Sequence, residues 1–307
     1  MMDDDCGVQS DKSKEPHLSM KPRIFYSHHK CGTMWLDSIF RTLCRETGHK
    51  YKFYVQAKDF AFDLDSEIGK QKVDFATYAD SVPKYLPKPG TTKGVHVVRD
   101  PRDVLISGYF SHLKTHVTYR WEALVKHRAA LEKLPLNEGL RLEMDFSDHF
   151  FQSLRTWRER AGEILEIRYE QIINDEFRTI MRILSHLEFL KRPRDQHNYE
   201  RFGEDLFVYG NILLDRLKLS SLSAKSLPSW EQAAKVIMRN TFEVKSAGRT
   251  RGVADTGSHF RKGVAGDWRN YFDKELASAF ACRYQEILEK YGYEQSVDWV
   301  DKLAVCD

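Results

Sequence analysis

The sequence predicts an α/β domain with a central parallel sheet flanked by helices and a phosphate-loop-like turn after its first strand. Three observations carry that reading. "RIFYSH", from Arg23, is β-branched and aromatic, and it runs through a Gly-bearing turn into the helical spacing of Trp35, Leu36, Ile39, Phe40 and Leu43. "KGVHVV", residues 93–98, repeats the pattern, followed by the turn and helix "RDPRDVLISGYFSHLKTH". A third unit sets the alternating "EILEIRY" between the helical "DHFFQSLRTWRER" and "EQIINDEFRTIMRILSHL". Strand, turn and helix in repeated order build a parallel sheet.

Each element has its local reason. The first helix is expected to stop at Gly48, a residue suited to a left-handed C-cap. Pro101 stands in the first turn of the second helix, where its missing N–H costs nothing. From Pro228, "SWEQAAKVIMRNTFEVKS" reads as one amphipathic helix. "SAGRTRGVADTGSHFRKGVAGDW" has no apolar period and reads as a loop, and "DKELASAFACRYQEILEKYG" closes the chain as a helix. Residues 1–20 are polar and read as a disordered leader; 21–307 read as one domain, with no linker that would divide it.

Bulk properties narrow the function classes. The 307 residues carry 48 basic and 45 acidic side chains, a net charge of +3, which argues against a nucleic-acid coat protein. No stretch approaches the ~20 apolar residues of a membrane span, and the leader lacks the basic and apolar regions of a secretory signal. The five cysteines (Cys6, Cys31, Cys44, Cys282, Cys306) are scattered, with no C-x-x-C pair. A cytoplasmic protein without a membrane or nucleic-acid partner is expected.

Three segments carry chemistry. In "HHKCGTMW", a loop enters a helix whose first N–H groups lack intrahelical partners and attract an anion. Gly32 lets the backbone close on that anion, Lys30 adds a charge and Thr33 a hydroxyl. The Lys precedes the only Gly, so this is not a Walker A loop. In "RDPRDVLISGYF", Arg99 stands at the carboxyl end of a strand with Ser107 two turns on, a fork and a hydroxyl suited to phosphate oxygens. In "FRKGVAGDW", Arg261, Lys262 and Gly263 suit a lid loop over a second phosphate. Each has a bland alternative: an arbitrary loop, a helix cap, a solvated basic turn.

Taken in this order, the segments resemble the cytosolic-type sulfotransferases that use 3′-phosphoadenosine 5′-phosphosulfate (PAPS). "HHKCGTMW" is similar to that family's P-K-S-G-T-T-W loop, "RDPRDVLISGYF" to its 3′-phosphate segment, and "FRKGVAGDW" to its R-K-G-x-x-G-D-W signature. The resemblance runs from about Arg23 to Tyr293. It implies that Lys30, Cys31, Gly32, Thr33 and Met34 surround the 5′-phosphosulfate and that Trp35 faces the adenine. It implies Arg99, Ser107, Arg261, Lys262 and Gly263 at the 3′-phosphate, and Tyr169, Thr241 and Phe242 near the base. Core packing is the competing reading for Tyr169 and Phe242. The implied reaction is in-line transfer of a sulfuryl group to a hydroxyl or amine of a small molecule, releasing adenosine 3′,5′-bisphosphate (PAP). No metal is expected, and no C-x-x-C arrangement suggests one.

Two family features are altered. The general base is a His in K-T-H-L-P; anchored on Leu86-Pro87, that position falls on Asp80 and the family Lys on Tyr78. Asp80 is the favoured base, with His112, His116, His28 and His29 as rivals. The family's C-terminal dimer motif is absent, so a monomer or another assembly is expected. Tyr51, Phe53, Tyr54, Phe60, Phe62, Tyr119 and Trp121 either line an acceptor pocket or pack. The other function classes weighed are a nucleotide-kinase-like phosphotransferase, which would need a Walker A Lys, and a nucleotide-binding module without catalysis.

Overall fold

A computed structural model describes residues 20–119, 121–157, 163–191, 201–219 and 222–303. The leader expected over residues 1–20 lies outside them except for Met20, as do Cys6 and Cys306. Five parallel strands form the sheet: β1 (Arg23–Tyr26), β2 (Tyr51–Tyr54), β3 (Phe75–Tyr78), β4 (Lys93–Val98) and β5 (Ile164–Arg168), in the spatial order β2-β3-β1-β4-β5. Register is fixed by pairs such as Tyr26 with Tyr78, Tyr26 with His96 and Val98 with Arg168. All four residues of β1 are buried, as expected of a central strand covered on both faces.

The chain leaves β1 for β2 and β3 on one side, then returns to β4 and β5 on the other. The strand order therefore reverses at β1, and ligands of open α/β sheets bind in the crevice at the carboxyl ends of strands at such a point. The loops after β1 and β4, carrying Lys30 and Arg99, meet there.

Helix α1 (Thr33–Glu46) buries Leu36, Ile39, Phe40 and Leu43 against the sheet and closes through Thr47 onto Gly48, whose left-handed backbone at φ 70° is the stop expected there. Helix α2 (Leu64–Gln71) joins β2 to β3. Helix α3 (Pro101–Phe110) starts on an Asp100 cap and passes into a π-helical turn, Ser111–Thr115. Helices α4 (Glu122–Leu131), α5 (Leu136–Phe146) and α6 (Asp148–Thr156) lead to β5.

The expected helix after β5 is two, α7 (Tyr169–Asn174) and α8 (Glu176–His186), because Asp175 turns its side chain back to cap Arg178 N–H. Helix α9 (Arg201–Arg216) follows. The expected helix beyond Pro228 also splits, into α10 (Trp230–Met238) and α11 (Phe242–Lys245), with Thr241 capping the second. Helix α12 (Lys274–Lys290) packs Phe280, Tyr284 and Leu288 into a core shared with Val104, Leu105 and Phe151.

The sequence reading did not assign β2 and β3. "YKFY" and "FATY" span four residues each and carry polar side chains, so they lack the long apolar run that marks β4. Tyr54 and Phe60 pack with Tyr78 in a core cluster on that side of the sheet rather than lining a pocket.

Candidate active site

Lys30 has a left-handed backbone, with φ 63°, followed by Gly32 at φ 79°. A side chain in that region costs about 1–2 kcal/mol, and such strain gathers at functional sites. The twist brings Lys30 C=O to Arg99 Nη1 at 3.1 Å, so the loops after β1 and β4 are bonded to each other. Gly32 caps α1 without a side chain, leaving the helix N-terminus open to an anion. Thr33 turns its hydroxyl inward, 2.7 Å from Ser27 Oγ, and bonds the His28 carbonyl.

Lys30, Ser107 and Arg261, which come from three distant segments, line one shallow open cleft together with Ser111, Thr115 and His259. Burial lowers the Lys30 ammonium to about 7; Arg99 and Arg261 act in the same sense and Glu143 against them. A cation so poised is short of an anion. Binding a dianion beside it will raise its pKa. Titrated with PAP near pH 8, the protein is therefore expected to take up close to one proton, read from binding enthalpies in two buffers of different ionisation heat. Equal enthalpies in both buffers would contradict this.

The loop from Arg249 to Trp268 is held from several sides. Asp103, one turn into α3, accepts from Gly266 N–H at 2.7 Å and Trp268 N–H at 2.9 Å. Arg249 donates to the carbonyls of Phe260 and Arg261. Arg102, buried and paired with Asp100 and Glu294, stacks 3.8 Å over the Trp268 ring. Arg261 and Lys262 both pair with Asp267, which orients the two cations before any ligand arrives. Asp103 and Asp267 are positioning residues that motif reading missed, although both lie inside the segments it singled out.

Two glycines are required. At Gly32 an added Cβ would lie 2.8 Å from the Tyr169 ring, and at Gly263, with φ 68°, 2.5 Å from the Phe242 ring. Tyr169 and Phe242, for which core packing was the alternative, thus press on the two phosphate-type turns. Arg99 also lies 4.8 Å over the Tyr169 ring. Gly263→Ala combines backbone strain with that clash, so PAP affinity should fall by at least about tenfold. Unchanged affinity would show that the Gly263 turn does not shape the pocket.

Other expected contacts stand differently. The Cys31 side chain is fully buried in the core beside Val98 and Val104, so only its backbone can serve a ligand. Met34 is half exposed. Trp35 is buried, donates to Asn240 C=O at 2.6 Å and meets Tyr169 edge-on. Thr241 caps α11.

Asp80 lies two residues past β3, where its N–H bonds Val55 C=O; the next residue, Ser81, bonds Ser27 on the way to the Lys30 loop. Burial, with Asp59 second, raises the Asp80 carboxyl to about 7. Of its rivals, His28 faces His96 Nε2 at 2.8 Å inside the sheet layer, away from the cleft, while His29, His112 and His116 stand together beside it. The fully buried His112 bonds Glu143 through Nδ1, and Glu143 also receives His127 and Ser147. Trp121 packs against His112 and His116, whereas Phe62 and Tyr119 are exposed.

With this geometry in view, the comparisons with known proteins decide the family. A model described as "Sulfotransferase domain" matches residues 22–205, more than half of the chain. This protein belongs to the sulfotransferase domain family. A 3-alpha-hydroxysteroid sulfotransferase of Cavia porcellus is 25% identical over 278 residues, covering 87% of this chain and 84% of its own. Cytosolic sulfotransferase 17 of Arabidopsis thaliana is 24% identical, over 90% of this chain and 77% of its own. A crystal structure of mouse sulfotransferase SULT7A1 complexed with PAP shares the fold, with a TM-score of 0.51 at 16% identity and 93% and 90% coverage of the two chains. The protein is thus an enzyme of the sulfotransferase kind, one that moves a sulfuryl group. No helix among the described residues is long and apolar enough to cross a membrane.

Proposed function

We propose that this sulfotransferase transfers the sulfuryl group of PAPS to a hydroxyl or amine of a small molecule in the cleft at Lys30, and that it works in the cytoplasm. The observation that carries the reading is the convergence of Lys30, Ser107 and Arg261 on one cleft, with Arg99 bonded to the Lys30 loop. The names of the curated relatives support both the cytoplasmic setting and a small-molecule acceptor.

The roles follow from charge and position. The α1 N-terminus, Gly32 and Thr33 hold the 5′-phosphosulfate; Arg99, Ser107, Arg261, Lys262 and Gly263 hold the 3′-phosphate; Tyr169 and Phe242 flank the base. In the step itself the acceptor oxygen or nitrogen forms a bond to sulfur as the sulfur–oxygen bond to the 5′-phosphate breaks. Its proton passes to Asp80. Lys30 neutralises the charge that appears on the departing phosphate oxygen, which is catalysis by positioning and electrostatics. The oriented pair Lys262 and Asp267 supports a preformed phosphate clamp, so Lys262→Ala should weaken PAP binding by about 1.5–3 kcal/mol.

The test is a single-turnover assay with sulfur-labelled PAPS and separate pools of phenols, aliphatic alcohols and amines. Label is expected in one small-molecule pool. Label carried only into protein or polysaccharide, or into no pool at all, would overturn the assignment of a small acceptor.

A further inference from the structure

Beside Lys30 lies a feature that sulfuryl transfer does not require. His29 precedes Lys30 in the loop after β1, while His112 lies on the π-helical turn that ends α3 and His116 is the extended residue that closes that turn. The three ring centroids are 4.8 Å (His29–His112), 5.3 Å (His29–His116) and 5.5 Å (His112–His116) apart. One nitrogen from each lies within 4.8 Å of the others. A tetrahedral ion bound at ~2.0–2.1 Å by three imidazoles places their centroids about 5 Å apart; it also lies in each ring plane, so the His29 ring, now stacked at 13° to His112, turns out of that stack on binding.

In two of the three rings the remaining nitrogen is committed as a ligand histidine requires. His112 gives Nδ1 to the buried Glu143 carboxylate at 2.9 Å, and His116 donates Nδ1–H to the Val117 carbonyl at 3.1 Å. A carboxylate or backbone carbonyl behind the ring fixes the tautomer with Nε2 free. His112 Nε2 is fully buried with no partner, and His29 Nε2 is likewise buried and unpaired. Buried nitrogens are seldom left so without a reason. Glu143, also held by His127 and Ser147, supplies the negative charge that a dication next to Lys30 needs.

We propose that His29, His112 and His116 form a binding site for a divalent transition metal of the zinc type. Glu143 acts behind His112, and the fourth position is open to water or an acceptor heteroatom. Three neutral imidazoles select zinc-like ions over magnesium or calcium, which prefer oxygen ligands. The proposal stands apart from the donor reading, because metal binding is measured without turnover.

The test uses the full-length, untagged protein stripped with EDTA and then titrated with Zn²⁺, with Co²⁺ as a spectroscopic probe. One zinc per chain is expected, together with visible bands of four-coordinate cobalt. His29→Ala and the half-buried His116→Ala should each weaken zinc at least about a hundredfold, while Glu143→Gln should weaken it about 10–100-fold. His149→Ala, which alters a neighbouring ring outside the trio, should leave zinc binding intact. Circular dichroism of each variant separates lost ligation from lost folding. Zinc bound equally by wild type, His29→Ala and His116→Ala, or not bound by the wild type, would overturn the proposal. Loss of PAP binding with zinc retained would instead remove the donor reading.

Discussion

Lys30→Ala is expected to lower turnover by about 10²–10³-fold while weakening PAP binding by only about tenfold. Removing one preorganised donor at a developing oxyanion costs about that much, because the charge it neutralises exists only as the bond breaks. The geometry sharpens the expectation. Lys30 is drawn down to about 7 by burial and by Arg99 and Arg261, so an anion at its tip restores its full charge. The same variant should lose the proton uptake on PAP binding near pH 8. Turnover unchanged in Lys30→Ala would remove the lysine from the reacting bond.

The second large effect is expected at Asp80. Asp80→Asn should cost about 10²–10⁴-fold in turnover, the usual share of a general base. The sign of the pH dependence follows from its environment. Burial first, and Asp59 second, raise the carboxyl to about 7, and only the ionised form accepts a proton. Wild-type turnover should therefore rise as pH passes through about 7 and then level, and Asp80→Asn should lose that inflection. Stability moves the other way. A carboxyl raised in the folded state binds its proton more tightly there, so its contribution falls as pH rises toward about 7. Above that pH the Asn variant should be the more stable protein by thermal melting. An Asp80→Asn enzyme that kept wild-type turnover and its pH profile would pass the role of base to another group.

How much of this was legible in the sequence depended on whether the signal was local. β1, β4 and the helices after them could be read because each strand runs through a short turn straight into a helix with a glycine or proline at its start. The three phosphate-type segments were equally legible, since the residues that serve them lie within a few positions of one another. β2 and β3 were missed because four-residue strands rich in tyrosine and polar atoms leave no periodic trace. The breaks at Asp175 and Thr241 were missed because apolar spacing continues across them while a side-chain cap starts a new helix.

The site's supporting partners required the fold. Asp103 reaches the Gly266–Trp268 backbone across 163 and 165 residues of chain. Glu143 stands outside the three motif segments, yet it is fully buried against His112 and His127. His112 and His116 were visible as a pair one turn apart, the spacing of two ligands on one helical face. That His29 completes them depends on the β1 and β4 loops meeting at the sheet's switch point. Trp35, expected against the adenine, bonds the Asn240 carbonyl and meets Tyr169 edge-on, two partners that only the fold brings to it.

The central claim is that Arg99, Ser107, Arg261 and Lys262 form a pocket for a 3′-phosphate while the Lys30 turn holds the 5′ end. Calorimetric titration with PAP, using AMP as the control and EDTA throughout, tests it most directly. The two nucleotides differ only in that phosphate. With two charge-assisted hydrogen bonds of about 1.5–3 kcal/mol each at stake, PAP should bind at least about a hundredfold more tightly than AMP. Equal affinity, or no binding of either, would contradict the account.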